Sequence, residues 1–340
     1  MGEVVRATDT KLLREVAIKK VHVDLDEETL ARFQVEARIG GQLDHPGVLP
    51  VYDLDHDEHG TPFFTMKLVT EHRSLASIID ALRARDPATV AVWSYQRRVG
   101  LMQQVCRAVD YAHSRGVIHR DLKPQNLVVG THGEVYVVDW GIARLLEAGD
   151  QGAARLSIPE PVRQTLVRGD ATGLVGTPAY MAPEHLQQGR SDERTDTWSL
   201  SVVLYEFLTL HHPLGDARSP AEVIRGFSTL PVRDAETFSD NVWGRVPRAL
   251  SRVAWKGLRP SRADRFDGPL SLERALQTWI EGASPIVCPG TLVQRLLRRA
   301  IYLIDQRPVV AAAAVVGVFC LFLVWCVEMV WLFVDRLSST

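Results

Sequence analysis

The sequence predicts an α+β fold in two lobes, a small strand-rich one first and a larger helical one after it. Three observations carry that prediction. β-Branched and aromatic residues gather in short runs before residue 70, helical periodicity dominates from 74 to 281, and a long uncharged apolar stretch lies near the end. Strands followed by helices require two packed units with a cleft between them. At 340 residues the chain exceeds one comfortable core, so a bilobed body with an appendage is the natural division.

Residues 16–21 read as a strand from their β-branched content. Residues 25–41 read as a helix, entered by acidic side chains and closed by Gly40 and Gly41. Further strands are expected over 48–52 and 63–69, with 53–61 a polar turn that holds His56 and His59 in solvent rather than on a metal. Beyond Ser74 the apolar spacing is helical over 74–83, 95–115, 195–210, 247–258 and 270–281. Two short β segments stand around 127–129 and 135–138, and there is no internal repeat.

From 309 to 327 no residue is charged. As a helix such a run is about 28 Å long, enough to cross a hydrocarbon core. Beyond Glu328 it continues apolar to 334, and Trp325 and Trp331 suit an interfacial belt. Arg295, Arg298, Arg299 and Arg307 precede the run while Arg336 alone follows it, so the body is expected on the cytoplasmic side of a membrane. The opening ten residues are polar and mixed in charge, unlike a signal peptide. Segment 291–306 sets basic residues against Leu292, Leu296 and Leu297, which fits a helix lying on an anionic leaflet or a solvated connector. The expected division is a body over 1–282 with lobes of about 1–70 and 71–282. A linker over 283–308, a transmembrane helix over 309–334 and a tail over 335–340 follow.

Composition narrows the function. A net charge of -2 argues against nucleic acid as a partner, which would call for a basic excess. Cys106, Cys288, Cys320 and Cys326 form no CxxC pair, so neither a disulfide framework nor a zinc site is expected.

The chemistry concentrates in His119-Arg120-Asp121-Leu122-Lys123-Pro124-Gln125-Asn126, followed after the strand at 135–138 by Asp139-Trp140-Gly141. Phosphoryl transfer needs a carboxylate to take the proton of an attacking hydroxyl, oxygen ligands for a divalent cation, and cations beside the moving charge. Asp121, Asn126, Asp139 and Lys123 are those residue types.

These motifs resemble the eukaryotic-type serine/threonine protein kinase family in its bacterial branch, over residues 1 to about 282. The resemblance implies the bilobed protein kinase fold, ATP and Mg²⁺ (or Mn²⁺) as cofactors, and transfer to serine or threonine hydroxyls of protein substrates. Position by position, Asp121 corresponds to the catalytic base, Asn126 and Asp139 to the metal ligands, and Lys123 to a γ-phosphate contact. Val16-Ala17-Ile18-Lys19 resembles the strand whose lysine holds the α- and β-phosphates, with Glu36 as its partner. Val4, Ala17 and Val128 correspond to the residues that sandwich the adenine, Met66 to the residue behind it, and Lys67 to Val69 to the hinge that bonds its edge. Asp196 corresponds to the anchor of the catalytic loop, and Glu184 and Arg265 to a structural ion pair. Lys123 and Thr177 favour serine or threonine over tyrosine as acceptor. Arg120 beside Asp121 implies control by a phosphate in the loop 142–175, where Thr172 is favoured over Ser157 and Thr165.

Several positions depart from the family pattern. Of the glycine-rich turn that covers the phosphates, Met1-Gly2-Glu3-Val4 resembles the last part alone, with Gly2 its final glycine; the first strand is not in the sequence. Either the start lies upstream or the lobe is short, with an exposed sheet edge and a weakened clamp. Trp140 stands where phenylalanine is usual, Ser201 where glycine is, Leu214 where phenylalanine is, and Lys67 where glutamate is frequent. The principal expectation is an active kinase on a membrane surface, self-associating for phosphorylation in trans. The competing one is a membrane-bound pseudokinase or scaffold.

Overall fold

The computed structural model describes residues 3–21, 27–145, 176–188, 191–215, 222, 232–240 and 242–282. The chain divides into two compact units, Met1–Pro285 and Ile286–Thr340, and the second lies outside the described residues. Gly2, Ser157, Thr165, Thr172 and the apolar run 309–334 also lie outside them. Among the described residues no helix is long and apolar enough to cross a membrane.

The first lobe is an antiparallel sheet in the order β1-β2-β4-β3, made of β1 (Glu3–Asp9), β2 (Arg14–Lys20), β3 (Val51–His56) and β4 (Pro62–Lys67). Asp9 turns the chain between the first two strands, its carboxylate accepting the N–H groups of Lys11 and Leu12 at 3.0 and 3.1 Å. Helix α1 (Glu27–Gln42) covers the sheet by setting Phe33 and Ala37 on Phe64 and Val21. The Phe33 and Phe64 rings lie 4.9 Å apart.

Two expectations for this lobe need correction. Gly40 and Gly41 do not close α1, which runs through both to Gln42. A Cβ at Gly40 would meet Val51 Cγ2 at 2.7 Å, so this glycine serves close packing of α1 on β3. The stretch 53–56, read as part of a turn, is the body of β3, while Val48 makes an isolated parallel bridge to Val137. An edge strand tolerates acidic residues because one side faces water. Here Asp53 and Asp55 also accept the N–H groups of Leu54 and His56 at 2.9 and 2.8 Å. The turn proper is residues 57–61, held by Asp57.

The second lobe begins with β5 (Arg73–Ser74), α2 (Leu75–Arg83), α3 (Pro87–Val92) and α4 (Tyr95–Ser114). Ser74 and Ser94 cap α2 and α4 by accepting the N–H groups of Ser77 and Arg97. β6 (Val117–Ile118), β7 (Leu127–Val129), β8 (Val135–Val137) and β9 (Arg144–Leu145) follow, pairing as β5-β7-β8 and β6-β9. Then come α5 (Pro183–Gln188), α6 (Glu193–Thr209), β10 (Ser239–Asp240), β11 (Gly244–Arg245), α7 (Arg248–Gly257) and α8 (Pro269–Ile280). Helix α6 is buried from Thr195 to Thr209 on every face, which makes it the central column of the lobe. Its start is fixed by a capping box between Asp192 and Thr195, an arrangement that contributes about 1 kcal/mol.

Candidate active site

Strand alternation places Ala17 and Lys19 on one face of β2, and both line the cleft. Glu36 lies three residues past Phe33 on α1 and therefore on the same side of that helix. Lys19 Nζ stands 2.6 Å from both carboxylate oxygens of Glu36. Burial pushes the Glu36 carboxyl above its ordinary value, against the pull of Lys19, and the Asp139 carboxylate adds to the rise.

Across the cleft, the loop after β6 is fixed by its own hydrogen bonds. His119 accepts the Asp121 N–H at Nδ1 (3.3 Å), so its proton sits on Nε2 and is donated to Val138 O at 3.1 Å. Each carboxylate oxygen of Asp121 is held. Oδ1 accepts the Thr177 N–H at 3.0 Å; Oδ2 accepts Lys123 Nζ at 2.6 Å and Asn126 Nδ2 at 3.1 Å. Lys123 Nζ also donates to Thr177 Oγ1 at 2.8 Å, tying this loop to the segment that opens at Gly176. Asn126 Nδ2 further donates to Asp121 O at 2.8 Å, which turns its Oδ1 the other way. Arg120 and Asp139 have φ of 71° and 66°, a costly backbone conformation for residues with side chains.

That strain is held from below by α6. Asp196, wholly buried, accepts the N–H groups of His119 and Arg120 at 2.8 and 2.9 Å and His113 Nε2–H at 2.8 Å. Burial alone would raise this carboxyl, but the hydrogen bonds from the His113 side chain and the His119 N–H help to bring it below its ordinary value. Arg265 donates to both oxygens of Glu184 at 2.7 and 2.9 Å, a buried bidentate pair. Arg120 donates from Nη2 to His185 Nε2 at 3.1 Å in a buried contact.

Two adjoining cavities occupy the cleft. One of about 420 Å³ is lined by Lys19, Glu36, Asp121, Lys123, Asp139 and Thr177. The other, about 510 Å³, brings Val4, Ala17, Met66, Val69, Asn126 and Val128 together, and shares Lys19, Glu36 and Asp139 with the first. Val4 sits at its open side and is 55% exposed. Lys67 also lines it, but the Lys67 N–H is committed to Pro50 O at 3.0 Å. Of the site residues expected from the sequence, Gly2 and the loop candidates Ser157, Thr165 and Thr172 lie outside the described residues.

Three contacts here have no signature in sequence. His72 donates to Val69 O, Tyr136 OH accepts from Lys67 Nζ at 2.5 Å, and His185 receives Arg120. Each joins residues by a turn or a tertiary approach, so neither periodicity nor motif spacing reveals them.

A family model for the protein kinase domain matches residues 1–278. The chain belongs to the protein kinase family. Serine/threonine-protein kinase PknD of Chlamydia trachomatis serovar L2b is 32% identical over 307 residues, covering 87% of this chain and 32% of that protein. PknD of Protochlamydia amoebophila is 34% identical over 298 residues, covering 86% and 30%. PknD of Chlamydia felis is 33% identical over 301 residues, covering 86% and 31%. This kinase chain thus spans about a third of the length of the curated relatives it matches.

Proposed function

We propose that this kinase domain transfers the γ-phosphoryl group of ATP to serine and threonine hydroxyls of proteins. The observation that carries the proposal is the Asp121 carboxylate, held on both oxygens by Thr177, Lys123 and Asn126 across the cavity from the Lys19–Glu36 pair. Asp121 is placed to orient the incoming hydroxyl and take its proton. Lys123 offsets charge on the moving phosphoryl group and, through Thr177, ties the catalytic loop to the segment before α5. Lys19 holds the α- and β-phosphates, and Glu36 keeps its ammonium from swinging away.

Asn126 Oδ1 and Asp139 form a hard oxygen pair, which suits Mg²⁺ (or Mn²⁺) because that ion takes few protein ligands and fills its shell with phosphate oxygens and water. When bound, the ion neutralises charge on the phosphates. Val4, Ala17 and Val128 enclose the adenine with Met66 behind it, and backbone groups of the 67–69 hinge bond its edge.

The reading extends to place and control. The uncharged run 309–327 and the arginines before it support a single membrane-spanning helix with the kinase domain in the cytoplasm. Self-association in the membrane plane would favour phosphorylation in trans, with Thr172 the proposed acceptor and Arg120 the group that receives its phosphate.

The test is phosphate transfer from labelled ATP to a generic protein substrate by the full chain. Asp121→Asn is expected to lower kcat at least about 100-fold, the range of general-base loss. Transfer at an undiminished rate would sink the assignment.

A further inference from the structure

The hinge carries a contact that phosphoryl transfer does not use. His72 Nδ1 stands 2.6 Å from Val69 O. A carbonyl only accepts, so the proton sits on Nδ1 and the imidazole is the donor. Glu71 makes the contact possible by adopting a φ of 51°, which folds the chain back so that His72 reaches the residue three before it. That conformation costs a side-chain-bearing residue about 1–2 kcal/mol, and the His72–Val69 bond offsets part of it. Both residues line the 510 Å³ cavity with Ala17, Met66 and Val128.

Hydrogen-bonding groups of the hinge are therefore partly spent before any base arrives. The Lys67 N–H goes to Pro50 O, and the Val69 carbonyl goes to His72. Adenine presents on its pairing edge one donor, N6–H, and one acceptor, N1. Guanine presents one acceptor, O6, and two neighbouring donors, N1–H and the N2 amino group. A guanine base thus asks the hinge for two carbonyls where adenine asks for one. A buried donor left without its acceptor is penalised more than a made bond is rewarded.

We infer that His72 is a specificity-determining residue, selecting adenine over guanine nucleotides by occupying the Val69 carbonyl. The inference rests on the nucleotide-binding reading of this cavity. His72, Thr70 and Glu71 are exposed, so truncating the imidazole uncovers the carbonyl without emptying a core.

Equilibrium binding of ADP and of GDP, each with Mg²⁺, to the full chain and to its His72→Ala variant tests this. The wild-type chain is expected to prefer ADP. In the variant GDP should bind about fivefold more tightly, the worth of one hydrogen bond, with ADP held within about twofold. An ADP-to-GDP ratio that does not move, or an equal loss for both nucleotides, overturns the inference. Failure of the wild-type chain to bind either nucleotide overturns the nucleotide reading itself, and this inference with it.

Discussion

Asp196→Asn tests whether α6 holds the catalytic loop in its strained form. The wild-type carboxylate serves three donors: Oδ1 takes the Arg120 N–H, and Oδ2 takes the His119 N–H and His113 Nε2–H. Asparagine has the same shape but one acceptor oxygen, and its amide NH₂ must face a donor. In the better rotamer one buried N–H loses its partner; in the other, two do. Each costs about 1–3 kcal/mol, toward the upper end because the lost acceptor was charged. A loss of about 3 kcal/mol is a large share of the 5–15 kcal/mol that holds a domain. For a domain of about 280 residues it corresponds to a Tm lowered by about 5 °C. Catalysis should suffer in kcat more than in KM for ATP, since Arg120 relaxes from its φ of 71° while Lys19 and Glu36 stay put. The pH dependence follows from the depressed Asp196 carboxyl. A lowered carboxyl contributes stability that is complete above the unfolded value of 3.8 and is lost as pH falls through the folded value. The gap in Tm between wild type and variant should therefore be constant from pH 5 to 8 and close below about pH 4. Thermal unfolding of both full chains at pH 7 and pH 3 measures it. A shift under about 2 °C at pH 7, or a gap of equal size at pH 3, would refute the reasoning.

Two further outcomes are expected. Lys19→Met leaves the buried Glu36 carboxyl without its cation and beside Asp139, so its already raised value should climb further. Such a group stabilises while protonated and loses that contribution as pH rises. The variant should be destabilised by about 3 kcal/mol at pH 8 and by clearly less at pH 5, as thermal unfolding at the two values would reveal. Gly257→Ala would push a Cβ to 2.5 Å from Ser201 Cβ, and closer still to its hydroxyl, between α7 and the buried face of α6. Overpacking there should cost about 1–3 kcal/mol, and Ser201→Gly in the same chain should restore at least half of it; additive losses in that double-mutant cycle would count against the contact.

Much of the site was legible because phosphotransfer confines its charged groups to short contiguous motifs. Asp121, Lys123 and Asn126 come from one loop, Asp139 from the end of the next strand, and Lys19 from a strand whose alternation is plain. The five longer helices of the second lobe were legible for a different reason: each carries an apolar stripe, a capping side chain near its start, or both, whereas the six-residue α3 and α5 were not expected. What escaped depends on tertiary approach. Strand β3 is acidic through Asp53 and Asp55, and only its place at the sheet edge makes that composition tolerable. Gly40 reads as a helix stop until Val51 is seen against it. His72 acquires a role only through the left-handed Glu71, which no propensity scale assigns to glutamate.

The departures from the family pattern divide along the same physical line. Groups that meet phosphate must match its geometry, and there the chain keeps each charged residue. A packing position needs only the right volume and satisfied polar atoms, so a departure there can be met by its neighbour. Trp140, larger than phenylalanine, is 3% exposed; its ring lies 4.6 Å from that of His119 and its indole N–H reaches Val137 O at 3.3 Å. Ser201 is matched by Gly257, and its hydroxyl returns to Thr197 O at 2.7 Å. On the proposed reading the base meets backbone at the hinge, which leaves the Lys67 side chain outside the chemistry. It turns instead to Tyr136, donating to the phenol with its ammonium 4.9 Å from the ring centre. That hydrogen bond raises the Lys67 amine against the effect of burial and keeps it charged. Lys67 thereby ties the last strand of the first lobe to β8 of the second, while its backbone remains at the cavity wall.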